Sequence, residues 1–243
     1  SLLDAGLMHP DAKTCFGDGF GDFCQEPTLV DGQIEWRSAA KSSLDPEILT
    51  TPATPFAPNG GVKLLEGNLG RSVIKTSAVQ EQHHIVEAPA VVIDDQDDLK
   101  PLFEAGELDK DCVVVVRFQG PAANGMPELH KLTPMLGVLQ DRGHKVALVT
   151  DGRMSGASGK VPAAIHLVPE ASQGGPLGKI QTGDVIRLDA TTGELSAHID
   201  ETELKSRTEA QAPNVPGTVG RGLFSNNRLA ISSAEEGASS LFI

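Results

Sequence analysis

The sequence predicts an α/β domain built on a mixed sheet, and three observations predict it. Strand-like and helix-like patterns alternate from Gly61 to about Ile199, two short runs, CVVVVRF and KVALVTD, are continuously apolar and β-branched, and DVIRLDATTGELSAHI alternates about a turn. Continuous apolar runs of that length fit strands covered on both faces, whereas the alternating run fits a half-buried hairpin.

Taken in order, SLLDAGLMHPD begins like the interior of a helix, with Leu2, Leu3 and Leu7 on one side. From Thr14 to Asn59 the chain is rich in Gly, Pro, Ser and Thr and ends in TTPATPFAPNGG, which predicts turns and extended linker with a boundary near Pro58. Within it, CFGDGFGDFC carries the spacing GxGxG, but no strand precedes it and no helix follows, so a glycine-rich turn is predicted. VKLLEGNL and APAVVI read as strands, and DDQDDLKPLFEAG as a short helix whose acidic residues sit at its positive end with Gly106 beyond it.

CVVVVRF is the next strand. MPELHKLTPMLGVLQDRG places Leu129, Leu132, Leu136 and Leu139 at helical spacing, which predicts a helix opened by Pro127, kinked at Pro134 and stopped near Gly143. KVALVTD is a further strand, DVIRLDATTGELSAHI a hairpin turning near Thr192 and Gly193, and ETELKSRTEAQ a terminal helix. The domains expected are 1–58 as the end of an upstream domain and linker, 59–212 as the α/β domain, and 213–243 as an irregular tail.

The 243 residues suffice for a sizeable core. Thirty-three acidic against 20 basic residues give a net charge of −13, which argues against nucleic acid or an anionic membrane surface as partner. Three cysteines, Cys15, Cys24 and Cys112, without a CxxC pair predict thiols in a reducing compartment. No apolar run approaches the roughly 20 residues of a membrane span, and the first residues lack a signal-peptide pattern. A cytoplasmic protein is expected.

The most informative stretch is TDGRMSGASGK, Thr150–Lys160, which follows a buried-type strand with a loop almost free of bulky side chains. Its glycines Gly152, Gly156 and Gly159 allow close backbone approach, and Arg153, Ser155, Ser158 and Lys160 add two cations and two hydroxyls. A P-loop is excluded, because Met154 stands where its first glycine belongs and Val161 follows Lys160 in place of Ser or Thr. In open α/β sheets ligands collect beyond the carboxyl ends of strands, so this loop and QGPAANGMPELH would share one edge if their strands are neighbours. Glu128 in the second loop reads either as a helix-start glutamate or as a hard oxygen ligand for Mg²⁺. Ser155 reads as a turn serine or, with an adjacent metal, as a base.

His130, His166 and Glu170 are possible acid–base groups and equally structural ones. His83 and His84 have no context that makes them ligands. Asp94, Asp95, Asp97 and Asp98 lack the pattern of a calcium loop and read as a capped helix start.

Taken together, APNGGVKLLEGNLGRSVIK, GPAANGMPELHKLTP, TDGRMSGASGKVPAAIHLVPEA and GGPLGKIQTGDVIRLDATTGEL resemble the dehydratase family containing dihydroxy-acid and 6-phosphogluconate dehydratases. ANGMPELHKLTP and GRMSGASGKVPAAIHL look closer to the 6-phosphogluconate branch. The resemblance implies a swivelling β/α domain with a barrel-like sheet flanked by helices, preceded by the end of a cluster-bearing domain. It implies a homodimeric hydro-lyase acting on a sugar-acid phosphate in the Entner–Doudoroff route. Its cofactors would be an iron–sulfur cluster, of 4Fe–4S type, held by cysteines upstream of this chain, and Mg²⁺ or Mn²⁺.

By motif, the glutamate of the MPE segment, a metal ligand, falls on Glu128, and the serine of the GR-[FM]-SG segment, the base, falls on Ser155. Arg153, Gly156, Ser158, Gly159 and Lys160 are the expected substrate-binding residues. No cluster ligand is expected among Cys15, Cys24 and Cys112. The alternatives are dehydration of another sugar acid or of a branched 2,3-dihydroxy acid, and, in a different class, a non-catalytic anion-binding or assembly module.

Overall fold

The structure is a computed structural model that describes residues 1–155, 159–213 and 225–241. It divides into two compact units, Ser1–Gly60 and Gly61–Ile243.

In the first unit, residues 1–11 form turns rather than a helix. One helix-like turn closes where Ala5 N donates to Ser1 O at 2.9 Å, and Gly6 at φ +69° ends it. The glycine-rich segment holds a two-residue ladder, β1 (Lys13–Thr14) with β2 (Gly17–Asp18). What composition presented as linker contains a six-residue antiparallel hairpin, β3 (Gln25–Val30) and β4 (Gln33–Ser38). Asp31 and Gly32 turn it with both φ angles positive, 49° and 79°, the twist that two-residue hairpin loops require. The pairs Leu29↔Ile34 and Pro27↔Trp36 lie on one face.

The second unit is a closed eight-stranded barrel. Its strands in chain order are β5 (Val62–Gly67), β6 (Gly70–Lys75), β7 (Ile85–Ile93), β8 (Cys112–Val116), β9 (Val146–Thr150), β10 (Ala163–Val168), β11 (Val185–Asp189) and β12 (Glu194–Ala197). The order around the barrel is β10-β6-β5-β12-β11-β7-β8-β9, and β9 closes on β10 in parallel. Pairs β7–β8, β8–β9, β9–β10 and β12–β5 are parallel, and the other four are antiparallel. The mixed α/β sheet is the one the strand and helix pattern predicts, and its closure into a barrel matches what the family resemblance implies.

Among the described residues the α-helices are α1 (Leu99–Glu104), α2 (Pro121–Asn124), α3 (Leu132–Asp141), α4 (Glu201–Ser206) and α5 (Ser225–Leu229). Alternation along the strands separates two cores. Val113, Val115, Ala147 and Val149 join Leu65, Ile74, Ala88, Ile186 and Leu195 in one cluster to which every barrel strand contributes, the barrel interior. Cys112, Val114, Val116, Val146 and Leu148 face the other way, against Leu99 of α1 and Leu132, Leu136 and Leu139 of α3. That is why β8 and β9 read as unbroken apolar runs: both faces are covered.

Two expectations for α3 change, and α4 stops at Ser206, short of the end of ETELKSRTEAQ. α3 begins at Leu132, five residues after Pro127, and Pro134 sits in its first turn, where a missing N–H leaves no bond unmade, so no kink is required there. Leu129 is buried but precedes the helix. The aspartate cluster before α1 is the capped start expected of it: Asp95 accepts from Asp97 N at 2.9 Å, and Asp98 returns a bond to Asp95 N at 3.3 Å. Asp94 pairs with Arg117 and Asp97 with Lys131.

Candidate functional site

β8 and β9 are parallel neighbours with Val116 opposite Thr150, and β10 lies parallel beside β9. The loops that leave their carboxyl ends therefore share one edge of the barrel. The backbone turns sharply there. Phe118 has φ +60°, Met126 +50° and His166 +57°, conformations that non-glycine residues adopt at about 1–3 kcal/mol each and that cluster at functional sites.

Glu128 is not a helix-start residue. It lies four positions before α3, in an isolated parallel bridge to Arg153 that ties the β8 loop to the β9 loop. Leu129 N donates to Arg153 O at 3.2 Å across the same junction. The Glu128 carboxylate accepts from Arg153 Nη1 at 2.7 Å and from the backbone N–H of Ser155. Arg153 also donates through Nε to Met126 O at 2.8 Å. Three residues singled out in two separate motifs, Glu128, Arg153 and Ser155, thus meet at one place, on the exposed rim of the sheet edge.

The remaining substrate-binding candidates are placed differently. Gly156 and Ser158 lie outside the described residues. Gly159 is in a turn. Lys160 donates to both carboxylate oxygens of Asp141 at 2.7 Å, and its chain lies along Gly137, so its ammonium is committed to α3 rather than to the Glu128 cluster.

Behind the rim lie two buried carboxylates. Asp151, fully buried, accepts from the backbone N–H groups of Gln119 (2.9 Å), Phe118 (3.2 Å) and Ala171 (2.9 Å). Burial pushes its carboxyl up to about 6 against the pull of those donors. Sequence reasoning passed it over; the available signal was a charged residue set directly after a continuously apolar strand. Glu170 accepts from Ala122 N at 3.2 Å and Ala123 N at 3.1 Å at the start of α2, and also from the Ser172 hydroxyl. Those bonds make it a tether between the segment after β10 and the start of α2. His166 donates its backbone N–H to Gly152 O at 2.9 Å, and burial, with Arg153 nearby, lowers its pKa, so the imidazole is neutral at pH 7. His130 Nδ1 lies 3.3 Å from Glu128 O.

Among the described residues, no group of three or more His, Cys, Asp or Glu is arranged to hold a metal ion. Glu128 offers one carboxylate. Mg²⁺ takes one or two carboxylates and keeps other positions for water and substrate, so Glu128 suits a contributing ligand, not a complete site. Cys112 is buried and its thiol is pushed up to about 11, far from the thiolate an iron–sulfur cluster needs.

Comparison with known proteins adds family context. The family model described as dihydroxy-acid/6-phosphogluconate dehydratase C-terminal matches residues 47–238. A phosphogluconate dehydratase of Pseudomonas aeruginosa is 56% identical over 98% of this chain, and one of Escherichia coli K12 is 55% identical over 98%. A dihydroxy-acid dehydratase of Ignicoccus hospitalis is 34% identical over 97%. The chain spans 40% of the length of each of these relatives.

Proposed function

The chain belongs to the dihydroxy-acid/6-phosphogluconate dehydratase family, and on that footing we propose that it is the carboxyl-terminal part of a hydro-lyase that converts 6-phospho-D-gluconate to 2-keto-3-deoxy-6-phosphogluconate. Residues 1–58 would end the upstream domain, and the enzyme would act as a cytoplasmic homodimer. The observation that carries the reading is the meeting of Glu128 and Ser155 across the neighbouring ends of β8 and β9.

In this reading the Ser155 oxygen takes the proton from C2, the C3–O bond breaks, and the hydroxyl leaves as water once protonated. The resulting enol then gives up its C2 O–H proton, takes up one at C3 and becomes the 2-keto acid. Mg²⁺ or Mn²⁺ and an iron–sulfur cluster, when bound, supply Lewis-acid stabilisation of the substrate oxygens. Glu128 would hold the divalent ion, whose charge would repel the Arg153 guanidinium from the carboxylate. Arg153, once released, is placed to take an anionic end of the substrate, its planar fork matching carboxylate or phosphate. Gly156, Ser158, Gly159 and Lys160 complete the proposed binding set; Lys160 reaches substrate only by leaving Asp141.

The test is the full-length enzyme, prepared anaerobically and assayed for 2-keto acid from 6-phosphogluconate, from gluconate and from a branched dihydroxy acid. Ser155→Ala is expected to lower turnover by at least about 100-fold, the usual range for a lost general base, and Glu128→Gln to act similarly while weakening Mn²⁺ binding. Either variant turning over at the wild-type rate would remove its residue from the mechanism. An unchanged KM for 6-phosphogluconate in Lys160→Ala would remove Lys160. The similarity to a dihydroxy-acid dehydratase favours a second reading, dehydration of a branched dihydroxy acid, which the same substrate comparison decides.

A further inference from the structure

Asp151 touches none of the groups assigned above, yet it binds the three loops that build the site to one another. Its Oδ1 accepts from Gln119 N, and its Oδ2 from Phe118 N and Ala171 N. Phe118 and Gln119 open the loop that carries Glu128. Ala171 belongs to the segment after β10, and Asp151 itself begins the loop of Arg153 and Ser155. We propose that Asp151 is a positioning residue for dehydration, holding the β8, β9 and β10 loops in the one register that sets Glu128 against Ser155; the proposal rests on the reading of those two residues given above.

The packing leaves this register little slack. A Cβ added at Gly152 would lie 2.6 Å from Gln119 Cβ and 3.1 Å from its carbonyl oxygen. The loops are therefore in direct contact beside the carboxylate, and a shift of Gln119 presses on the residue before Arg153. Arg153 in turn is fastened to Met126 O and Glu128. Gln119 extends the tether, since its amide donates to Asp94 O at 2.7 Å and accepts from Asn124 at the end of α2. Glu170, next to Ala171, holds the start of α2.

A carboxylate supplies acceptors on both sides, which a neutral isostere cannot do. Asparagine at 151 keeps one accepting oxygen and turns an NH₂ toward backbone N–H donors. Retaining a buried, ionisable group where burial disfavours its charge is the kind of expense found at functional sites.

The experiment uses the full-length, anaerobically prepared dehydratase and its Asp151→Asn variant. Expected are a kcat lower by about 100-fold, as for a misplacement on the scale of 1 Å, an unchanged KM, and faster hydrogen exchange at the Phe118, Gln119 and Ala171 amides, with the barrel still melting cooperatively. A folded variant with wild-type kcat overturns the proposal, and so does a loss in kcat/KM carried by KM alone. A second measurement needs no variant: in the wild-type enzyme those three amides should exchange slowly, and any of them exchanging like an open loop overturns it too. Ser155→Ala separates the two ideas. If it is inactive while D151N is normal, only the positioning role falls; if it is active, the site reading itself falls.

Discussion

Asp151 carries a pH signature of its own. Its carboxyl titrates near 6 in the folded chain against 3.8 as the ordinary value, because burial outweighs its hydrogen bonds. The folded state therefore holds this proton more tightly than the unfolded state does. The stability it contributes is fully present below about pH 4 and is lost as pH rises to about 6. Relative to Asp151→Asn, which does not titrate there, the wild-type unfolding free energy should gain about 2 kcal/mol between pH 7 and pH 4. Urea titrations at both pH values measure it; a difference independent of pH would show an unshifted carboxyl. Glu128 and Ser155 were legible as residues, since their types and their positions after two buried-type strands mark them. The Arg153–Glu128 ion pair was not, because nothing in either motif states that the two loops touch.

Among the elements, β8, β9 and the hairpin of β11 with β12 follow from pattern alone, because an unbroken apolar run marks a strand covered on both faces and the hairpin is marked by alternation about turn residues close in sequence. α3 is read correctly in type and wrongly in its start. Leu129 keeps the helical spacing yet is buried in the loop against the same cluster as Leu132 and Leu136, so burial mimics periodicity. Leu136→Ala should destabilise the second unit by about 3 kcal/mol, as for a fully buried leucine whose removal leaves a cavity. Gly120 tests the junction of α2 with the β10 loop. A Cβ there would fall 1.9 Å from Glu170 Oε2, so Gly120→Ala should unseat Glu170, lower the melting temperature at about 1–3 kcal/mol of overpacking strain, and speed exchange at Ala122 and Ala123. An unchanged melting temperature and unchanged exchange would mean that the tether is dispensable. β3 and β4 went unread because Pro, Thr and Gly nearby dominated the composition, although Asp31-Gly32 is a strong hairpin signal.

Across the whole molecule, the lone tryptophan reports on the first unit. Trp36 is 62% exposed on the same hairpin face as Leu29 and Ile34. The isolated chain should therefore give water-like tryptophan emission that acrylamide quenches readily; blue-shifted, protected emission would show that this face is covered in solution. Among the described residues no helix is long and apolar enough to cross a membrane. The sequence by itself determined the local matters: the α/β class, the strands around the site, and which residues in two loops carry suitable chemistry. These depend on periodicity, turn residues and side-chain type, all of which act over a few positions. Only the tertiary structure decided that the sheet closes, that β8, β9 and β10 lie side by side in parallel, and that Asp151 binds all three of their loops. Those facts depend on pairings between segments distant in sequence, as in Ala164 with Ile74 and Glu194 with Glu66 around the barrel and the bonds from Asp151 to Ala171, Gln119 and Phe118, and backbone donors carry no mark in the sequence of the acceptor they will meet.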